Sequence, residues 1–496
     1  MKSSSIIRIP RQWKSQHSDA LSADQNTRIG QQITCCNLHE KPGAGMRLVS
    51  REDDAIAIRL QLIDQADRSL DMQYYKWLDD NGGSLILSHV IAAADRGVRV
   101  RLLIDDIHFD SDVNAQALDA HPNIEIRLFN PFESRRMTPL TRPLEWLRND
   151  RVNHRMHNKL IVADNLVALC GGRNISDSYF GLSERITFRD LDLVVIGEVI
   201  QEMSDAFDSF WNSRWAVPVS LLVKVSLPER QRQRFQAMLR RFKRSRQYGK
   251  GAKLQELANH QISNFTENLI WAPAHIIYDK PSKVRNSQGK KPSRVHQFNL
   301  LLDALEQVNQ SIHVITPYLI PTPGMLALLA TYKLKGVKVS ILTNSLASND
   351  VVMAHGGYAH YRKQLLQCGV KLYELSPSAR FNPPSIAPYS LHAKTLVLDG
   401  KAVFIGTHNA DPRSIHLNTE MGILVDSIAL SVQVLQVFDE HTTQGNSWRV
   451  FIRFGAIFWR RQHKGRTQLK RHEPETHWRR RWLAKMCGWL PIHKQL

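Results

Sequence analysis

Two histidines in this chain stand in the same short pattern. His157-Asn158-Lys159 leads to Asp164, and His392-Ala393-Lys394 leads to Asp399, both as His-x-Lys-x4-Asp. A Gly-small-x-Asn element follows each: Gly171-Gly172-Arg173-Asn174 and Gly406-Thr407-His408-Asn409. On an extended segment residues i and i+2 face the same way, so His157 and Lys159 would point at one ligand, as would His392 and Lys394. An imidazole attacks phosphorus or moves a proton, and an ammonium beside it stabilises charge on non-bridging phosphate oxygens. Gly171 and Gly406 would let backbone approach a phosphate, with Gly172, Thr407, Asn174 and Asn409 around it. The chemistry indicated is attack on a phosphate ester by matched groups. Any one of the 21 histidines reads as an ordinary core or surface residue, but a duplicated extended pattern does not.

The carboxylates leave choices open. Asp164 and Asp399 stand with the His and Lys residues as catalytic candidates, yet each lies beyond a turn and could instead hold the local loop. Glu420, at the start of the strand-like Gly422-Ile423-Leu424-Val425, could orient His392. Asp190 or Asp192, ahead of Leu193-Val194-Val195-Ile196, could do the same for His157, and the sequence does not choose between them. No Asp/Glu/His cluster has metal-ligand spacing, and two lysines supply the charge a cation would bring, so neither metal nor other cofactor is expected. A Gly-x4-Gly-Lys-Ser/Thr loop is also lacking, which argues against nucleotide hydrolysis.

Such a constellation needs two equivalent supports, and the chain contains a repeat. Arg68-Ser69-Leu70-Asp71, Tyr74-Tyr75, an apolar helical pattern and Arg96-Gly97-Val98-Arg99-Val100 are echoed by Gln310-Ser311-Ile312-His313, Tyr318, another apolar stretch and Lys335-Gly336-Val337-Lys338-Val339. Each unit reads strand, helix, basic-Gly turn, strand, which predicts two α/β halves. Paired apolar strands would carry the motifs: 160–163 with 167–170, and 395–398 with 403–405. Cys170 is then a buried core thiol.

The division expected is an N-terminal segment 1–40 whose order the sequence leaves open, a first half 41–220, a basic linker 221–265, a second half 266–440 and a basic, Trp-rich tail 441–496. The Arg- and Lys-rich stretch from Pro228 to Lys253 is either a solvated face or a contact for anionic headgroups. In the tail, Trp448, Trp459, Trp478, Trp482 and Trp489 alternate with arginines. They could close the core of the second half, but the density of cations favours a membrane interface.

At 496 residues the chain suits two or three domains, and 43% hydrophobic with 23% charged residues excludes a disordered or collagenous protein. The net charge of +20 implies a phosphate-rich partner, either nucleic acid or anionic lipid. Five cysteines, with only Cys35 and Cys36 adjacent, make no disulfide framework and fit a reduced, cytosol-facing location. Without an apolar run of about 18 residues, no membrane span is expected.

These residues resemble the phospholipase D superfamily, and within it the bacterial cardiolipin synthases. Besides the two motifs, the likeness rests on Tyr74-Tyr75-Lys76-Trp77, Asn130-Pro131-Phe132, Arg155-Met156, Ser178-Tyr179-Phe180 and Asn418-Thr419-Glu420-Met421-Gly422. Thr343-Asn344-Ser345-Leu346-Ala347, Asn349-Asp350, Gly357-Tyr358 and Leu372-Tyr373-Glu374-Leu375 are most similar to the class C branch. One departure is Gly172, where the superfamily usually has Ser. The resemblance implies two α/β/α halves with mixed central sheets, related by a pseudo-two-fold, with the active site at their interface. It further implies phosphatidyl transfer in which His157 forms a phosphohistidine and His392 is acid and then base, although local sequence does not distinguish the two. The implied substrates are phosphatidylethanolamine as donor and phosphatidylglycerol as acceptor, on the cytoplasmic face of a bacterial inner membrane, with room for an accessory protein. A hydrolytic phospholipase D, a phosphatidylserine synthase and a nuclease could share the constellation. The tryptophans favour lipid over nucleic acid.

Overall fold

The computed structural model describes residues 16–108, 118–132, 150–222, 265–285, 296–382, 384–443, 445–463 and 465–489. The basic stretch from Pro228 to Lys253 lies outside the described residues. A nine-stranded and a ten-stranded sheet form the two halves. In the first, the strands run in the order Ile270–Ala272, Ala44–Val49, Asp192–Gly197, Val167–Gly171, Leu160–Ala163, Ser69–Tyr74, Arg99–Asp105, Ile124–Phe129, Ala216–Pro218. In the second they run Ala274–Tyr278, Met421–Asp426, Ala402–Gly406, Thr395–Leu398, Ser311–Ile315, Lys338–Asn344, Lys371–Leu375, Ser447–Arg453, Ala456–His463, Arg466–Lys470. From Asp192–Gly197 to Ile124–Phe129, and from Met421–Asp426 to Lys371–Leu375, the order and the parallel or antiparallel sense of each pairing are the same. Both sheets are therefore mixed, and the duplicated sequence is a duplicated fold.

Local chemistry explains the repeating unit. Asp80 accepts from the Gly83 amide at the start of helix Asn81–Asp95, and Gly97 at φ 101° turns the chain into strand Arg99–Asp105. In the second half Thr322 caps helix Pro323–Lys335, Pro323 sits in its first turn, and Gly336 ends it at φ 76°. A left-handed residue at each helix end returns the chain to the sheet.

The halves are joined by more than one connection. Pro273 separates a strand of the first sheet from the first strand of the second, so the second half begins there instead of at residue 266. Thr187–Arg189 and Tyr389–Leu391 pair in parallel across the seam. One buried cluster contains Leu160, Cys170 and Leu193 of the first half together with Ala393, Val397 and Ile423 of the second. Because this core is shared, separating the halves would expose apolar surface on both.

Residues 16–35 are held against the first half. The Ser18 and Ala20 amides bond Asn212 and Asp208, and helix Arg28–Cys35 buries Ile29 and Ile33. At the other end, the expectation of an interfacial tail needs correction for Trp448 and Trp459. Both lie in the sheet, 1% and 4% exposed, with their indoles donating to Glu475 and Glu374. Alternating Trp and Arg here is the period of a strand with one face in the core. Trp478 and Trp482, on helix Trp478–Trp489, remain 65% and 60% exposed. Among the described residues no helix is long and apolar enough to cross a membrane.

Candidate active site

The two motifs meet at the seam, each stitched to the opposite half. The His157 amide donates to the Thr419 carbonyl at 2.8 Å, and the His392 amide to the Arg189 carbonyl at 2.8 Å. Both segments lead directly into a strand, Leu160–Ala163 and Thr395–Leu398, so His and Lys sit at the strand ends that face the seam. The imidazoles are 6% exposed and Lys159 and Lys394 are 2% exposed. Lys159 Nζ donates to the His157 carbonyl, and Lys394 Nζ lies against the His392 ring, 2.8 Å from Nδ1.

The carboxylate assignment inferred within each half is reversed by the structure. Glu420 lies 2.8 Å from Nδ1 of His157, not beside His392, while Asp190 lies 2.7 Å from Nδ1 of His392. Asp192 serves neither histidine. It faces Gly171 in the sheet and pairs with Arg59 and Arg173 at 3.0 and 3.1 Å. Asp190 precedes that strand, beyond the edge of the ladder, and so reaches across the seam. With Nδ1 engaged by a carboxylate, Nε2 is the ring atom turned to the other neighbours, and at His392 it meets the Tyr179 hydroxyl.

Several other expected roles change. Asp164 accepts from the amides of Asp67, Arg68 and Ser69, and Asp399 from those of Asn309, Gln310 and Ser311. Both sit at the far end of the motif strand, at φ 53° and 51°, and hold the turn that starts the neighbouring central strand; they are not placed to act on substrate. At Gly171 and Gly406 an added Cβ would overlap the Leu191 and Met421 carbonyls, so these glycines permit close strand packing instead of close phosphate approach. Thr407 donates to Glu420 and accepts from the Met421 amide, which braces the carboxylate behind His157. At Gly172 a Cβ would overlap the Asp190 carboxylate, so serine there is incompatible with this position of Asp190. Asn174 donates to the Tyr179 hydroxyl, and among the described residues the side-chain oxygens of Asn174 and Asn409 have no partner, which leaves unfilled hydrogen-bonding capacity at equivalent places in the halves.

Three aromatic neighbours had no assigned role in the sequence reading. Tyr75 meets His157 edge-on at 4.9 Å, with Lys159 over its ring at 5.4 Å. Tyr179 and Phe188 flank His392 at 5.0 and 5.1 Å, and the Tyr179 hydroxyl is 3.2 Å from Nε2. Their family-like contexts were legible at Tyr75 and Tyr179, but an aromatic beside an apolar strand reads as core. Rings on these walls keep water from the imidazoles.

Burial sets the electrostatics. It lowers His157 to about 4 against the opposing pull of Glu420, and His392 to about 3 with the help of the Lys394 charge. Burial and Lys394 lower Lys159 to about 7, and burial lowers Lys394 to about 8 against Asp190 and Glu420. Burial alone would raise the carboxyls, but Lys394 and His392 more than offset it at Asp190, and His157 at Glu420, leaving both at about 2. At neutral pH the site thus holds neutral imidazoles, a nucleophilic form, between two anionic carboxylates. An entering phosphate anion would pair with Lys394 and so raise His392 toward the acid form. If His157 attacks as a neutral imidazole beside two charged lysines, the pH dependence has a definite sign. kcat/KM should therefore rise through about pH 4 and fall as pH passes about 7 to 8. A profile in which kcat/KM kept rising beyond pH 9 would contradict the charged role of the lysines.

A family model described as "Cardiolipin synthase, PLD-like domain" matches residues 60–211 and 301–442, one copy in each half. Cardiolipin synthase C of Escherichia coli (strain K12) is 39% identical over 475 residues, spanning 93% of this chain and 98% of the relative. Cardiolipin synthase 1 of Bacillus anthracis is 27% identical over 76% of this chain and 62% of its own length. In fold, the crystal structure of phosphatidylserine synthase from Haemophilus influenzae Rd KW20 superposes with a TM-score of 0.57 at 15% identity, covering 95% of this chain and 99% of that one.

Proposed function

The chain belongs to the cardiolipin synthase family with a phospholipase D-like domain and is a cardiolipin-forming phosphatidyltransferase; on that premise we propose that its donor is phosphatidylethanolamine, its acceptor phosphatidylglycerol, and its intermediate a phosphohistidine on His157. The observation that supports this route is the crossed pairing of His157 with Glu420 and His392 with Asp190, which directs one Nε2 from each half to a shared site. Nε2 of His157 attacks the donor phosphorus, forming a P–N bond. The bond from phosphorus to the ethanolamine oxygen breaks, and that oxygen takes the proton of Nε2 of His392. Neutral His392 then removes the proton from a terminal glycerol hydroxyl of phosphatidylglycerol, whose oxygen attacks phosphorus as the P–N bond breaks. Cardiolipin leaves, His157 is neutral and His392 again carries its proton. Splitting one displacement into two lets a single acid/base group serve both. Lys159 and Lys394 stabilise charge on the non-bridging oxygens in both steps.

Incubation of the protein with labelled phosphatidylglycerol, with and without phosphatidylethanolamine, tests the reading. Cardiolipin that requires both lipids supports it. Cardiolipin formed equally from phosphatidylglycerol alone would reassign the donor, and phosphatidic acid alone would make the protein a hydrolase.

An anionic membrane is the proposed working surface, on the cytoplasmic face of a bacterial inner membrane. Helix Trp478–Trp489 docks through Ala484 against Gly356, where the two backbones come so close that a Cβ on Gly356 would sit 2.6 Å from the Ala484 carbonyl. It leaves Trp478, Trp482 and Met486 exposed at i, i+4 and i+8 beside Arg479, Arg480 and Arg481. An apolar stripe flanked by cations suits insertion at the headgroup level. Trp478→Ala combined with Trp482→Ala should weaken sedimentation with phosphatidylglycerol vesicles by about tenfold, with an unchanged melting temperature. Equal binding by the double variant would place the membrane contact elsewhere.

A further inference from the structure

The second half contains a cavity of about 540 Å³ between its sheet and the helices His296–Glu306 and Pro323–Lys335. The space is partly open to solvent, and a concave, mostly apolar surface of this size is the usual form of a ligand site. The polar part of its lining includes Lys394 of the second motif and the nearby Asn409, together with Asp279, Lys283 and Thr316. The remainder is hydrocarbon, including Leu305, Leu328, Leu329, Val339, Ile341 and Phe404.

The equivalent helices of the two halves differ in the same sense. Asn81–Asp95 buries Leu85, Ile86, Val90, Ala93 and Ala94 against the first sheet. In Pro323–Lys335 only Tyr332 is fully buried, while Met325, Leu328 and Leu329 line the cavity half-buried. Leu328 and Leu329 pack against the core of the second half on one side only and leave the other side to the cavity.

We propose that this cavity takes one acyl chain of the donor phospholipid, whose phosphate lies at Lys394 and Asn409. The inference rests on the phosphatidyl-transfer reading and adds the site that holds the lipid. A phospholipid matches this lining, its phosphate suiting the Lys394 ammonium and its acyl chain the hydrocarbon walls. The donor's diacylglycerol stays attached to phosphorus through the covalent intermediate, so an anchor continuous with Lys394 would hold it while the headgroup departs and the acceptor enters.

A phosphatidylethanolamine with a photoreactive diazirine near the end of one acyl chain tests this on the full chain in vesicles, the adducts being mapped by mass spectrometry. Adducts are expected on the segments containing Leu305, Leu328, Leu329 or Phe404. Leu328→Trp, which fills the space, should remove them and lower the ratio of long-chain to dihexanoyl donor turnover by about tenfold. Adducts confined to segments outside the cavity, or an unaltered ratio in a folded Leu328→Trp protein, would overturn the proposal. Should that variant not fold, the adduct map of the unsubstituted protein decides alone. Labelling needs no turnover. Cavity adducts with phosphatidic acid as the sole product would keep the acyl site and remove the transferase route, whereas cardiolipin with adducts elsewhere would do the reverse.

Discussion

Replacing His157 with alanine should lower cardiolipin formation by about 10⁴-fold or more, the scale seen when a covalent nucleophile is removed from a preorganised site. The prediction is chemical before it is structural. His157 is held by the Thr419 carbonyl through its amide and by Glu420 through Nδ1, so its loss removes the positioned attacking group. With phosphatidylethanolamine radiolabelled at phosphorus, the unsubstituted protein should acquire acid-labile label and His157→Ala should acquire none. The His392→Ala variant should lose turnover on a similar scale, because neither the ethanolamine oxygen nor the incoming hydroxyl would have its proton partner. Label retained on His392 in the His157→Ala protein would exchange the two roles. That comparison is decisive because the surroundings of the rings are not equivalent: His157 faces Glu420, whereas His392 has Lys394 against its ring.

The second large effect belongs to a residue that forms no bond with substrate. Glu420→Gln should reduce kcat by about 10² to 10⁴, the range observed when an orienting carboxylate becomes an amide. Glutamine preserves the shape but can turn its NH2 toward Nδ1, which favours the tautomer with hydrogen on Nε2 and masks the attacking lone pair. It also removes the charge that holds His157 up to about 4 against burial, so the acid limb of kcat/KM should move to lower pH. A purely structural role would not move that limb. Glu420→Asp, which keeps the charge on a shorter arm, should recover part of the lost rate. If the amide variant kept full kcat and an unshifted limb, the carboxylate would be packing only. Because Glu420 belongs to the second half and His157 to the first, this test also measures whether chemistry depends on the seam.

Asp190 and Gly172 show the same dependence from the other side. The Asp190 carboxylate occupies the space of a Cβ at position 172, and the matching position in the second half carries Thr407, whose hydroxyl braces Glu420. A shorter carboxylate with glycine on one side, and a longer one with threonine on the other, are two solutions for reaching one imidazole across the seam. The departure at Gly172 was visible as a departure, but its reason required the position of Asp190.

The repeat, the two α/β halves, the paired His and Lys residues and the phosphoryl chemistry they suit were legible from residue types and spacing, and the mixed sheets from the family resemblance. Those features are local: a strand aligns His157 with Lys159, and an apolar run with a capped helix end places each strand, whatever the rest of the chain does. The carboxylate partners, the turn-holding role of Asp164 and Asp399, the burial of Trp448 and Trp459 and the cavity beside Lys394 were decided by tertiary structure alone. Each depends on which segments distant in the chain lie side by side, and spacing along the chain carries no measure of that distance. An alternating Trp-Arg segment is amphipathic at a membrane and in a sheet alike, and only the neighbour that covers its apolar face distinguishes the two.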